Sequence, residues 1–340
     1  MLNNKRQLEL DYVRAISMLG VIVIHVTSSF VYASSNLTIA GMNPAFLLNQ
    51  LARFSVPLFI LLSGVSLGFS RSADTYLSFF QKRCVKILLP YLFWSCAYWL
   101  YYHRGEGLAH LGKALLRGGA ASHLYFIVIM IQLYLLYPFL RRLVKRYPFP
   151  TLICALLISF VSQQAILDAG AGLIPRGPIL QNLWFLFPSW LFYFVLGMVI
   201  GHFDVSRLCA WCGRHLWFLL AVALLFGGLY AYKSRLSGNL DSIKISLFFY
   251  TPLVFLTLLA LGNRLQEQHG LNRGISFLAA HSQTVFFMHL FVLTFLRKVP
   301  LLITGTRGML LLLLSETVLS LLIAWLIDTV IEQIKRIFTK

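Results

Sequence analysis

Long stretches almost free of charge recur along the chain, each about as long as the hydrocarbon core of a bilayer is thick, and this leaves few folds open. Ten can be read, at roughly 11–32, 45–69, 84–102, 121–140, 150–167, 184–202, 215–232, 245–262, 275–296 and 308–332, joined by short polar or Gly/Pro-containing links. Backbone amides in hydrocarbon must be satisfied inside one helix or around a closed barrel. The runs lack the two-residue alternation of a membrane barrel, so helices remain. Charged residues make up only 12% of the chain and mean hydropathy is +0.77, whereas a soluble domain would carry roughly twice that charge. The expectation is an all-α membrane protein with about ten transmembrane helices and no soluble domain, forming a single polytopic membrane domain over 1–340.

The first run follows Lys5 and Arg6 and precedes Ala33-Ser34-Ser35, as in a secretory signal, but it is too long for a signal core and reads as a retained span. Loop lysines and arginines suggest its direction. With the amino terminus inside, 16 of them, among them Lys5, Arg6, Arg71 and Lys340, fall on the cytoplasmic side and 10 on the other. Arg14, Lys86 and Arg53, in or at the ends of spans, complete the 29. Both termini are then cytoplasmic and the host is a cell (inner) membrane. The net charge of +18 is scattered through short loops instead of gathered on one surface, which argues against nucleic acid and for anionic lipids and an anionic ligand. Cys209 and Cys212 form an isolated C-x-x-C without a second pair, so no metal is expected, and the odd cysteine count implies no disulfide framework.

Ionisable residues inside the spans are the candidate functional groups, because each is costly in lipid. Arg14 and His25 are eleven positions apart, close to three helical turns, so they share a stripe with about 16 Å between them. Such a stripe could grip both ends of one long ligand, although packing and headgroup contacts would also account for each residue alone. Arg53 lies within the second span ahead of Pro57, which should kink the helix and free carbonyls for a polar neighbour. Ser63 and Gly64 follow, and Gly64 and Gly68 at four-residue spacing suit either close helix packing or a close-bound ligand, while Gly197 and Gly201 suit packing. Lys82, Arg83 and Lys86 are expected at the start of a helix, a phosphate site by charge and dipole, or else an ordinary cytoplasmic anchor. His123 opens the fourth span, Ser282 and His289 share a face of the ninth, and Glu316 stands in the tenth. Alternating helix direction puts His25, Arg53, His289 and Glu316 in the outer half, with His123 farther out. Arg14, Ser63, Lys82, Arg83 and Lys86 fall on the inner side.

These residues together resemble the bacterial membrane-bound acyltransferase-3 family. The resemblance covers almost the whole chain. It rests on Arg14 and His25 at a basic-x10-His spacing, Arg53 before V-P-L-F-I-L-L-S-G, the basic segment leading to Pro90-Tyr91, the H-L-Y-F-I run at His123, and the Ser282 to His289 pattern. Departures from the family's pattern are Thr27, Ser28 and Ser29 where an acid often follows the histidine, Val65 as third residue of S-G-F, and Tyr125 for the usual Trp of H-x-W-F. The resemblance implies ten helices and transfer of an acyl group, commonly acetyl, from cytoplasmic acyl-CoA as co-substrate to a hydroxyl of an envelope polysaccharide or lipid-linked glycan. On that reading His25 is the candidate general base, Arg53 or His289 the oxyanion stabiliser and Glu316 the group fixing the imidazole, with substrate or acyl-CoA binding at Arg14, Ser63, Gly64, Lys82, Arg83, Lys86, His123 and Ser282, the donor phosphates lying near Arg14, Lys82, Arg83 and Lys86. The compact length and hydroxyl-rich turn look most like the short O-acetyltransferases of glycans such as enterobacterial common antigen. The rival reading is a transporter or flippase for a glycan or lipid-linked substrate, against which stands the lack of an internal repeat.

Overall fold

The computed structural model describes residues 8–31, 42–69, 76–238 and 241–338. Lys5, Arg6, Arg71, Lys340 and the Ala33-Ser34-Ser35 run lie outside them. Among the described residues the chain is helical with no strand: α1 (Leu8–Thr27), α2 (Pro44–Leu51) running through a 3₁₀ turn at Ala52–Phe54 into α3 (Ser55–Gly68), then α4 (Tyr76–Arg83) joined by a π turn at Cys84–Leu88 to α5 (Leu89–Tyr102). There follow α6 (Gly107–Arg117), α7 (Tyr125–Arg146), α8 (Pro148–Gly170), α9 (Leu191–His202), α10 (Val205–Arg214), α11 (Leu216–Ser237), α12 (Leu247–Arg264), α13 (His269–Leu296) and α14 (Gly305–Phe338). Among the described residues, eight helices are long and apolar enough to cross a bilayer, counting Pro44–Gly68 as one, or nine if Phe187–His202 and Val205–Arg214 count as one broken span. All ten expected runs are helical. The third run is divided by its π turn, which leaves α5 only 14 residues long.

The two prolines explain the two irregularities. Pro57 has no amide hydrogen and its ring crowds the carbonyl four residues back, and the 3₁₀ turn lies just before it. The Leu51 carbonyl next to this turn accepts the Tyr250 hydroxyl at 3.0 Å, so a polar neighbour does meet the freed backbone. Pro90 crowds Lys86 in the same way, and the π turn absorbs the conflict. Because α4 and the π turn run unbroken into α5, Lys82, Arg83 and Lys86 do not stand at a helix start. Their amides face into a continuing helix, and the dipole contribution expected there is absent.

The chain divides into two compact units. One holds Met1–Val56, Ser206–Ser242 and Phe249–Lys340; the other holds Pro57–Val205 and Ile243–Phe248. In the first, α1 packs on α13 through Tyr12, Ala15, Ile275 and Ala279. Polar ties fix its start: the Tyr12 hydroxyl donates to Asn272 at 3.0 Å, and Ser276 donates to the buried Asp11 at 3.1 Å. Cys209 and Cys212 are buried on α10 without a disulfide.

In the second unit, α3 and α9 meet backbone to backbone. A Cβ on Gly64 would lie 2.2 Å from the Phe194 carbonyl oxygen, and one on Gly197 2.0 Å from that of Leu61; Gly68 and Gly201 are as tight. Helix packing therefore accounts for Gly64 as well as for Gly197 and Gly201. Polar side chains of α7 and α8 hold the segment 180–190. Gln132 donates to the Phe185 carbonyl at 3.0 Å and accepts from the Phe187 amide at 2.9 Å. Ser159 and Gln163 donate to the carbonyls of Pro188 and Ser189.

At Gly197 the obstructing atoms are backbone, which cannot rotate away. Gly197→Ala is expected to cost about 1–3 kcal/mol by overpacking. Gly228→Ala, with nothing within 4 Å of the added carbon, should cost none. Thermal unfolding of both variants in detergent checks this, and equal melting temperatures would refute the close contact.

Candidate functional site

The end of α1 leaves carbonyls without helical partners, and the way these are met builds the site. The Ile24 carbonyl accepts from the Ser28 amide at 3.1 Å and from Asn49 Nδ2 at 3.0 Å. The His25 carbonyl accepts from the Ser28 hydroxyl and from Arg297 Nη2, each at 2.7 Å. The same Asn49 Nδ2 donates to Thr27 Oγ1 at 3.1 Å. Arg297, at the C-cap of α13, thus puts a cation at the negative end of the α1 dipole, a favourable place for it.

Asn49 is fully buried, and its two ends do different work. Nδ2 holds the last turn of α1, while Oδ1 accepts from Arg53 Nε at 3.1 Å, Arg53 Nη2 at 2.9 Å and Gln50 Nε2 at 3.2 Å. Arg53 Nη1 reaches Ser242 Oγ at 3.4 Å. One carboxamide therefore links the helix end carrying His25 to the guanidinium of Arg53.

His289 approaches from α13. Its ring centroid is 5.1 Å from that of His25, with the planes inclined at 51°. Its Nδ1 lies 2.8 Å from the Phe286 carbonyl and 3.2 Å from that of Val285. Carbonyls only accept, so Nδ1 carries the hydrogen, and in the neutral ring Nε2 holds the lone pair. His289 is fully enclosed, whereas His25 keeps partial access. Arg53 and Arg297 both lie within electrostatic reach of His25.

Glu316 is buried on α14, as expected of an acid that must avoid lipid. Its contacts differ from expectation. Oε1 accepts from Ser320 at 2.9 Å, Oε2 has no hydrogen-bond partner among the described residues, and the nearby cation is Arg297. Glu316 thus fixes neither imidazole by a hydrogen bond; backbone carbonyls set the His289 tautomer instead.

The first unit therefore brings together His25, Arg53 and His289 and sets Glu316 beside Arg297. Arg14, on the same helix as His25, pairs with Asp11 at 3.2 Å. Ser282 is buried and donates to the Ala279 carbonyl at 2.9 Å. In the second unit, His123 is buried edge-on to Tyr98 with ring centroids 5.5 Å apart. Arg83 stacks over Phe79 and Tyr134, Lys86 is exposed, Ser63 is half-buried, and the Lys82 side chain lies outside the described residues. Sequence reasoning missed Asn49 and Arg297. The signal for Asn49 was its place four residues before Arg53 in an apolar span. Arg297 was counted as a loop charge, although its Nε is buried.

These features define a multi-pass membrane protein with a site of imidazole and guanidinium groups set at helix ends within one unit. The Acyltransferase domain family matches residues 7–329, and the chain belongs to that family. It is 26% identical over 262 residues to a Bacillus subtilis (strain 168) protein named "Putative membrane-bound acyltransferase YfiQ", covering 73% of this chain and 71% of the relative. It is 24% identical over 304 residues to a Staphylococcus aureus (strain MSSA476) protein named "Probable poly-beta-1,6-N-acetyl-D-glucosamine export protein", covering 85% and 83%. A Staphylococcus epidermidis protein of the same name is 24% identical over 271 residues, covering 75% and 73%. No solved structure matches the chain.

Asn49→Ala would leave Arg53 and the end of α1 without their shared partner, an expected loss of about 1–3 kcal/mol. Asn49→Asp keeps the acceptor and loses both donors, so it should melt between the wild type and Asn49→Ala. Thermal unfolding in detergent measures the order, and wild-type melting of Asn49→Ala would remove the linking role.

Proposed function

We propose that the protein is an acyl-CoA-dependent O-acyltransferase, most simply an acetyltransferase, that acylates a hydroxyl of an envelope polysaccharide or lipid-linked glycan. The observation that carries this reading is the paired imidazoles of His25 and His289, 5.1 Å apart, with Arg53 and Arg297 beside them in a family of acyltransferases.

In this mechanism the partly accessible His25 takes the proton of the acceptor hydroxyl as its oxygen attacks the thioester carbonyl carbon. A new C–O bond forms, the carbonyl becomes an oxyanion held by Arg53, and its collapse breaks the C–S bond. The proton on His25 then passes to the leaving thiolate, so acid and base balance within one residue. His289 offers a lone pair at Nε2 and serves as the second imidazole, suited to hold the acceptor hydroxyl or to relay the proton. An acyl-histidine formed in a first step and hydroxyl attack in a second would use the same groups. Arg297 positions His25 through its backbone carbonyl, and Glu316 lies within electrostatic reach of that guanidinium. For the donor phosphates, Arg14 lies on the helix that carries His25 and would exchange its pairing with Asp11 for the phosphate. The whole chain, 1–340, works as one membrane domain in a cell membrane, with both termini cytoplasmic.

The names of the staphylococcal relatives favour a second reading, export of a polymeric glycan. The two readings separate on thioester cleavage. Purified protein in nanodiscs with acetyl-CoA and an envelope-glycan extract should release free thiol, and His25→Ala should slow this by about 10²- to 10⁴-fold while inserting normally. Retention of more than a tenth of the rate would falsify the base assignment. Absence of thiol release by the wild type, with movement of labelled poly-N-acetylglucosamine across proteoliposomes, would favour export.

A further inference from the structure

We propose that His103, Glu106 and His110 form a binding site for one divalent transition-metal ion, with zinc the best match, in the turn joining α5 to α6. The site lies in the second unit and takes no part in the acyl-transfer chemistry above.

The turn Tyr102-His103-Arg104-Gly105-Glu106-Gly107 is short, and Gly107 has φ +64°, a conformation that glycine adopts without strain. It folds His103 at the end of α5 back over Glu106, with His110 one helical turn into α6. One ligand atom from each of the three residues lies within 4.8 Å of the others. His103 Nδ1 is 3.0 Å from Glu106 Oε1, and His110 Nε2 is 2.9 Å from Glu106 Oε2. The two rings stand 4.8 Å apart. A tetrahedral ion with bonds of roughly 2.0–2.1 Å needs ligand atoms about 3.4 Å apart, so small side-chain adjustments would bring the three around one centre.

The donor types fit as well. Two imidazoles and one carboxylate make a borderline set suited to zinc, leaving a fourth position for water or a substrate oxygen. All three side chains are partly exposed, so an ion can reach them.

The metal-free contacts provide a second readout. Trp99 Nε1 lies 3.2 Å from His110 Nδ1, and an indole only donates, so Nδ1 holds the lone pair and Nε2–H donates to Glu106. Metal at Nε2 requires the ring proton to move to Nδ1. That move breaks the Trp99 bond, and Trp99 should report binding.

Untagged full-length protein in detergent, stripped with EDTA, would be dialysed against zinc chloride and assayed for bound metal. Cobalt(II) chloride would serve in a parallel titration read by visible absorption and tryptophan fluorescence. The expected result is about one saturable zinc per chain, lost in the His103→Ala/His110→Ala double variant, weakened at least tenfold in Glu106→Gln, and retained in Cys209→Ser/Cys212→Ser. Quenching by cobalt should shrink in Trp99→Phe. Melting temperatures of the stripped variants, compared with stripped wild type, verify that each is folded. The proposal is overturned if wild-type protein takes up no saturable zinc, if the folded double variant binds as the wild type does, or if binding follows the cysteines.

Discussion

Hydrocarbon offers a peptide group nothing to bond with, and each unpaired amide or carbonyl there costs several kcal/mol. Most of this structure follows from that cost. It makes the chain helical, and it makes every interruption of a helix a place where some side chain must supply the missing partner. Where the second span breaks ahead of Pro57, Tyr250 takes the Leu51 carbonyl. Where α1 ends, Ser28, Asn49 and Arg297 take the carbonyls of Ile24 and His25.

The site stands where those repairs converge. Asn49 and Arg297 are present to finish a helix, yet finishing it fixes the residue whose imidazole faces His289. Arg53 is held by the same Asn49 that holds the helix end. Backbone satisfaction and side-chain placement are thus one network, and a polar group that stabilises the fold also sets the geometry of the imidazole and guanidinium groups. Glu316 extends the network, being buried beside Arg297 with Ser320 on one oxygen.

The fold class was legible because hydropathy and length suffice to identify a spanning helix, and Pro57 marked the break at Ala52–Phe54 that carries Arg53. The histidines, Arg53 and Glu316 were legible for a similar reason: a titratable group in lipid demands an explanation. What escaped was contact across elements. Nothing in the local sequence of α4 tells that its helix continues through a π turn, so the helix start assigned to Lys82, Arg83 and Lys86 fell in the wrong place. Arg297 looked like a loop charge because its partner, the His25 carbonyl, lies 272 residues away. Glu316, expected to orient His25, makes no hydrogen bond to it, its Oε1 accepting from Ser320, while His289 is oriented by carbonyls of its own helix.

The segment 180–190 adds a matter of timing. Gln132, Ser159 and Gln163 sit on α7 and α8, and each finds its partner in backbone that is synthesised later. A nascent chain that has threaded only as far as α8 therefore carries three polar side chains in the bilayer with their acceptors still inside the ribosome. Until segment 180–190 emerges, those side chains have only their own helices, water or other protein to bond with. Hydropathy marks α7 and α8 as finished spans, yet their polar groups are satisfied only when the later segment packs on them.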